Sequence, residues 1–261
     1  PFYVQEQGAR VGKDHRSLVV RKGGETLAKT GLRNVSHLVL CGNIGISAQA
    51  LHFLCEASVP VVHLSMGHWF YGITQGISVR NGYARSAQYR VASDPELCRR
   101  FAAELVSAKV RNQRTLLRRN GDPPPSALRE LAGTLGRVEN AADLGELLGI
   151  EGTAARVYFQ HFASMFKNPE IGTEWAFSGR NRRPPRDPVN AMLSFGYAIL
   201  AKECAVVLLA EGLDPYWGLY HQPRHGRPAL ALDFMEPLRP LIVDSALLTA
   251  VNTGMVAQRN F

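Results

Sequence analysis

The chain has 261 residues, enough for one large domain or two modest ones. Hydrophobic residues make up 46% and charged residues 20%, a balance that fits neither a disordered tail nor a membrane protein and indicates a soluble globular chain. Lys and Arg number 30 against 22 Asp and Glu, a net charge of +8, which suits a polyanionic partner: nucleic acid first, an acidic membrane surface or acidic protein behind it.

The first eighty or so residues read as short strands broken by turns. Ser17 to Arg21 and Glu25 to Lys29 flank Gly23-Gly24, a hairpin whose glycines supply positive φ. Val35 to Leu40 is a third apolar run, Ala48 to Ala57 a short helix, and Val59 to Leu64 a buried strand. Trp69, Tyr71, Ile73, Ile77 and Val79 continue the strand pattern across Gly72 and Gly76. After about Arg90 the pattern turns helical. Asp94 reads as an N-cap with Pro95 at the first helical position, opening a helix to about Arg119 that Asn120-Gly121 and Pro123 to Pro125 stop. Asp187-Pro188 repeats the signal before the apolar segment Val189 to Ala210, hydrophobic almost all round and so expected at the centre of its domain. That segment meets Lys202 and Glu203 about a dozen residues in, too soon to span a bilayer. Two domains follow: a β-rich one over 1–88 and an α-helical one over 89–261, an α+β fold class.

Cys41, Cys55, Cys98 and Cys204 form no CxxC pair, which argues against a disulfide framework, a zinc ribbon or an iron–sulfur site and for a reducing, cytoplasmic compartment. No signal peptide is visible, and the chain starts at Pro1, so it reads as two domains cut from a longer protein.

The positive charge is uneven. From Arg80 to Arg119 ten basic residues face three acids, and Arg180, Arg182, Arg183 and Arg186 cluster in a proline-rich loop. A charge run is often only a solvated face. Arginine's planar fork, however, matches phosphate oxygens, which favours a phosphodiester backbone.

Glu151 heads a segment in which Ala155, Tyr158, Phe162 and Met165 recur at helical spacing, turning the carboxylate toward the interior. Such a group either caps its helix, where the macrodipole favours it, or needs a compensating cation. Further on, Ala229 to Leu232 reads as a short apolar strand or extended segment ending in Asp233, and Glu236-Pro237 opens another helix. Two acids three apart at that junction can converge on one point, with His221 just upstream among Arg224, His225 and Arg227. A lone histidine is more often structural than a ligand. The combination of Glu, His and Glu/Asp without a thiolate is nonetheless a hard oxygen and nitrogen set suited to Mg²⁺ or Mn²⁺, and in a basic chain it points to metal-assisted phosphodiester chemistry.

At these residues the chain resembles the CRISPR adaptation endonuclease/integrase family called Cas-one. The likeness lies in Glu151-Gly152 with Ala154, Ala155 and Tyr158-Phe159; in Arg182-Arg183-Pro184-Pro185, Asp187-Pro188-Val189-Asn190 and Leu193-Ser194-Phe195-Gly196-Tyr197; in Gly218-Leu219-Tyr220-His221 and Gly226-Arg227-Pro228-Ala229-Leu230; and in Asp233-Phe234-Met235-Glu236-Pro237 with Arg239-Pro240. The resemblance implies a β-stranded amino-terminal domain and a helical catalytic domain. It implies homodimers that associate with the small Cas-two protein and insert captured DNA fragments into the CRISPR repeat array by 3′-hydroxyl attack on a phosphodiester, alongside metal-dependent DNA cleavage. Carried over by position, Glu151, His221 and Glu236 are the metal ligands, with Asp233 a further catalytic acid. Arg111, Arg114, Arg118, Arg180, Arg182, Arg183, Arg224 and Arg227 are then expected to bind DNA, and Tyr216 and Trp217 to touch substrate. Some family members are fused to the nuclease Cas-four, a further partner whether fused or separate, and family members usually continue past the position of Phe261. Two rival readings are a stand-alone nuclease or junction resolvase, and a DNA-binding scaffold without catalysis. No membrane partner is expected.

Overall fold

The computed structural model describes residues 1–76, 82–168, 171, 175, 177–181, 184–257 and 260–261. Its contacts divide the chain into two units, Pro1–Ser86 with Val206–Asp214, and Ala87–Ala205 with Pro215–Phe261.

The first unit carries the strands. β1 (Phe2–Val4), β5 (Leu38–Cys41) and β7 (Val61–Leu64) pair in parallel, with β8 (Phe70–Thr74) antiparallel at the edge. The second sheet runs β4 (Glu25–Gly31), β3 (Ser17–Lys22), β2 (Arg10–Asp14), β6 (Gly45–Ile46). β3 and β4 meet at Gly23 and Gly24, both at positive φ (57° and 90°), the conformation a tight hairpin requires. Alternating residues of β2 and β3 (Val11, Leu18, Val20) share one core with Val4, Leu38, Leu40 and Val61 of the other sheet and with Ala50 and Leu54 of α1 (Ala48–Glu56). β5 is buried on both faces, as a near-continuous apolar run in a parallel sheet demands.

The second unit is helical: it holds α2 (Gly82–Ala92) from Ala87 on, α3 (Pro95–Asn120), α4 (Pro125–Glu139), α5 (Leu144–Gln160), α6 (Pro188–Ala210) up to Ala205, α7 (Ala229–Met235) and α8 (Ser245–Asn252), with a π-helical turn at Arg239–Asp244. Asp94 caps α3 by accepting the Glu96 and Leu97 amides at 2.9 and 3.1 Å. Ala102, Val106, Val110 and Leu117 of α3 recur at helical spacing and pack against Leu131 and Val138 of α4 and Leu147, Ile150, Ala154 and Tyr158 of α5. Strands gathered in one unit and helices in the other make the mixed α/β architecture expected from the sequence.

Three local expectations are corrected. Ala229 to Leu232 is not a strand but the start of helix α7: a short apolar run has no period long enough to separate the two. α6 is not central. Val189, Leu193, Tyr197, Leu200 and Val206 are buried, whereas Phe195 and Val207 are 58% and 53% exposed, so the helix is not buried all round. Nor does its apolar character stop at Lys202. The helix runs through the Lys202–Glu203 pair (3.0 Å) to Ala210, and by length and mean hydropathy of 1.7 alone it could cross a bilayer.

Candidate metal and nucleic-acid site

α5 begins at Leu144, two turns before Glu151. Asp143 caps it by accepting the Glu146 amide (2.8 Å), and the Glu146 side chain reaches back to the Ala142 amide (2.7 Å). Glu151 is therefore a mid-helix residue and not a cap. Its carboxylate is 14% exposed and faces inward, one oxygen taking the Lys109 ammonium of α3 and the other the Tyr220 hydroxyl at 2.6 Å. Burial works against its charge, but the Lys109 charge and hydrogen bond, helped by Tyr220 and His221, win and hold the carboxyl well below the usual carboxylate range.

Lys109 joins the site's two glutamates. Its Nζ also donates to Glu236 Oε2 at 2.5 Å, and Arg239 takes the other Glu236 oxygen at 2.9 Å. Glu236 is 3% exposed and Lys109 5%. Burial works against the Lys109 charge, yet Glu236 and Glu151 outweigh it and raise the ammonium's pKa above its ordinary value. One turn on, Asn112 of α3 donates to the Pro237 carbonyl (2.8 Å), tying the chain after Glu236 to the same helix.

Asp233 is fully buried and does not point at the two glutamates' shared cation. It accepts the backbone N–H groups of Leu219 (2.7 Å), Tyr220 (3.0 Å) and His221 (2.8 Å), and pairs with His221 Nδ1 at 2.7 Å. Every lone-pair direction of the carboxylate thus fixes one loop. With the Nδ1 proton donated to Asp233, Nε2 keeps the lone pair that a metal ligand needs. Gly218 lets this loop close: a Cβ there would sit 2.3 Å from the His221 carbonyl oxygen and 2.8 Å from Ala229 Cβ.

Lys109, Glu151, His221, Arg224, His225, Arg227, Glu236 and Arg239 line one cleft of about 720 Å³. Among the described residues no group of three or more His, Cys, Asp or Glu side chains is already gathered as a metal cluster. What the cleft holds instead is a cation of the protein's own between Glu151 and Glu236, with His221 on the same wall. Two hard carboxylates that already share one positive charge, beside an oriented imidazole, fit Mg²⁺ or Mn²⁺ in donor chemistry.

The expected DNA-binding residues divide. Arg224 and Arg227 stand on this cleft, while Arg111 and Arg118 are exposed on α3. Arg114 spends its Nε on the Leu128 carbonyl (3.1 Å). Arg180 bonds Asn190 (2.7 Å) and Ser194 (3.1 Å) of α6 and lies over the Tyr197 ring, so its fork serves the loop's own packing. Arg182 and Arg183, like Arg80, lie outside the described residues. Tyr216 and Trp217 are 48% and 46% exposed, and Trp217 packs edge-on against Tyr89. Sequence reasoning missed Lys109, Tyr220 and Arg239 as site residues. The available signal was Lys109's place on the apolar stripe of α3, four residues after Leu105 and four before Gln113.

The sequence matches the family described as CRISPR associated protein Cas1 over residues 2–261. It is 46% identical over 269 residues to the CRISPR-associated exonuclease Cas4/endonuclease Cas1 fusion of Geobacter sulfurreducens, a match covering 100% of this chain and 48% of that protein. It is 40% identical over 262 residues to the CRISPR-associated endonuclease Cas1 3 of Thermus thermophilus, covering 99% and 76%. Among solved structures, a chain of the partial Cas6-RT-Cas1–Cas2 complex superposes with a TM-score of 0.74 at 29% identity, covering 99% of this chain and 77% of that one. The chain thus spans about half the length of the fusion proteins it matches.

Proposed function

Because the chain belongs to the Cas1 family, we propose that it is a divalent-metal-dependent DNA endonuclease and integrase of CRISPR adaptation, joining the 3′-hydroxyl of a captured fragment to a phosphodiester of the repeat array. The observation that carries this reading is the pair of buried carboxylates, Glu151 and Glu236, sharing one cation on the cleft where Asp233 orients His221. Glu151, Glu236 and His221 Nε2 would hold a Mg²⁺ or Mn²⁺ ion, which when bound polarises the scissile phosphodiester and stabilises the leaving oxygen.

The remaining groups have separable tasks. Asp233 keeps the His221 ring in one tautomer and one orientation, so no energy is spent aligning it when the site fills. The Tyr220 hydroxyl pins one Glu151 oxygen, and Arg239 pins one Glu236 oxygen, which fixes the plane of each carboxylate. Arg224 and Arg227 at the cleft draw the phosphodiester backbone in and hold it against the carboxylates' own repulsion. Exposed Arg111 and Arg118 extend the positive surface along α3.

The names of the relatives support a Cas2 protein and a Cas4 nuclease, either fused or separate, as partners; duplex DNA and a second copy of the chain are proposed with them. The same reading places the protein in the cytoplasm. The test is strand transfer. Purified protein with its Cas2 partner is given a 3′-hydroxyl fragment and a repeat-bearing plasmid in Mg²⁺ or Mn²⁺. Joined strands identify an integrase, nicks alone a nuclease or resolvase, and full strand transfer in Glu236→Ala would show the proposed site to be wrong.

A further inference from the structure

Resting on the metal-holding role proposed for Glu151, His221 and Glu236, we propose that Lys109 is a built-in competitor for that site. Its ammonium occupies the position between the two carboxylates in the free protein and has to leave before a divalent ion can bind. Lys109 thereby positions the ligands and sets metal affinity, and it is displaced when the site loads.

The geometry carries this. Four carboxylate oxygens belong to Glu151 and Glu236, and three donors occupy them: Tyr220 on one Glu151 oxygen at 2.6 Å, Arg239 on one Glu236 oxygen at 2.9 Å, and Lys109 on the remaining oxygen of each. Of these three donors, only Lys109 touches both glutamates. Tyr220 and Arg239 flank the pair from outside and can stay when a metal ion enters. Lys109 stands where an ion shared by both carboxylates would have to stand. Its side chain is 7% exposed, against 14% for Glu151 and 4% for Glu236, so solvent screens little of the competition.

Charge adds a second consequence. Two carboxylates facing Lys109 and Arg239 are already neutral. A divalent ion added with Lys109 in place would leave two uncompensated positive charges in a buried cluster; with Lys109 swung toward the solvent side of the cleft only one remains. A single phosphodiester carries the one negative charge that neutralises it. Metal and DNA should therefore bind together to the native protein, each weakly alone. Without Lys109 the two carboxylates and Arg239 carry one net negative charge, so a divalent ion would bind more tightly than to the native protein even before DNA arrives. The lysine keeps the empty site from coming apart, which a purely apolar residue could not do.

The experiment measures Mn²⁺ binding by electron paramagnetic resonance for wild type, Lys109→Met and Glu236→Gln, each with and without a short DNA duplex. Lys109→Met should bind Mn²⁺ about tenfold or more tightly than wild type when DNA is absent. Adding duplex should tighten binding in both, because the loaded cluster keeps one positive charge in each. Equal or weaker binding in Lys109→Met, with Glu236→Gln still abolishing the site, overturns the competitor role and leaves the metal site standing. Binding that ignores Glu236→Gln, with and without duplex, overturns the metal site itself, and this role with it. Lys109→Gln, which keeps a donor without the charge, replaces the methionine variant if that fails to fold. In wild type carrying ¹⁵Nζ-lysine, the Lys109 ammonium resonance should move on adding Mg²⁺ with duplex; a resonance that stays fixed while the ion binds contradicts displacement.

Discussion

Asp233→Asn isolates the orientation of His221 from the stability of its loop. The native carboxylate accepts four hydrogen bonds, from the Leu219, Tyr220 and His221 amides and from His221 Nδ1, at 2.7 to 3.0 Å. A carboxamide can accept on one side only. If its oxygen turned to His221, its NH₂ would confront the amides of both Leu219 and Tyr220 and leave two buried donors unpaired. Turned the other way, it keeps those two bonds, loses the one from the His221 amide, and donates to Nδ1. The second orientation wins, because it strands one buried donor, at about 1–3 kcal/mol, where the first strands two. For a chain of this size that is a melting-temperature drop of roughly 2–10 °C. The chemical effect is larger. With the amide donating to Nδ1, the imidazole proton moves to Nε2 and the ligand lone pair is gone. Metal affinity should fall about 10–100-fold while the fold survives. Mn²⁺ titration followed by paramagnetic resonance reads the affinity, and ¹⁵N spectra of the imidazole read the tautomer. A variant that binds Mn²⁺ like wild type, with the proton still on Nδ1, would refute the role given to Asp233.

Gly218→Ala places a Cβ 2.3 Å from the His221 carbonyl oxygen, so the loop must shift; strand transfer should drop more than tenfold for a stability cost of about 1–3 kcal/mol, and an unchanged rate would show that the loop's position is immaterial. Asp244 accepts the Tyr197 and Tyr158 hydroxyls at 2.6 and 2.9 Å, and burial, against those bonds, pushes its carboxyl up to about 6 from 3.8. An acid whose folded pKa is raised favours the native state while protonated, so its contribution falls as pH rises from about 4 to about 6 and is gone above that, a change of at most about 3 kcal/mol. Urea titrations of wild type and Asp244→Asn across that window should diverge by this component; parallel curves would contradict it.

Much of the site was legible because its residues break local rules. A carboxylate heading an apolar helical stripe demands a compensating cation, and Glu151 has one. Its cation was not legible, because a count of basic residues treats a buried lysine and a solvated arginine alike. Lys109 was counted with the phosphate-binding arginines although it lies on the inner face of α3, and Arg180 was grouped with them although Asn190 and Ser194 hold it. Position within a helix was also hard to read. Leu144 and Leu147 extend α5 upstream, so Glu151 sits mid-helix and the cap falls to Asp143. The long helices α3 and α6 were placed to within a residue at their starts by the Asp-Pro signal, where cap chemistry is local. The short helix α7 reads as strand in sequence, since seven residues give too little period to decide. Their spacing lets Asp233 and Glu236 converge on one point, but the structure divides them, Asp233 holding the loop of Leu219 to His221 and Glu236 facing Lys109 and Arg239, a split set by contacts distant in sequence.

The most direct measurement is anomalous diffraction from crystals of the protein soaked in Mn²⁺ with a short duplex. The account predicts a single strong peak between Glu151 and Glu236, within about 2.0–2.3 Å of a carboxylate oxygen of each and of His221 Nε2, with the Lys109 ammonium moved out. A fully bound duplex with no peak there, or with Lys109 still bridging the two glutamates, would contradict it.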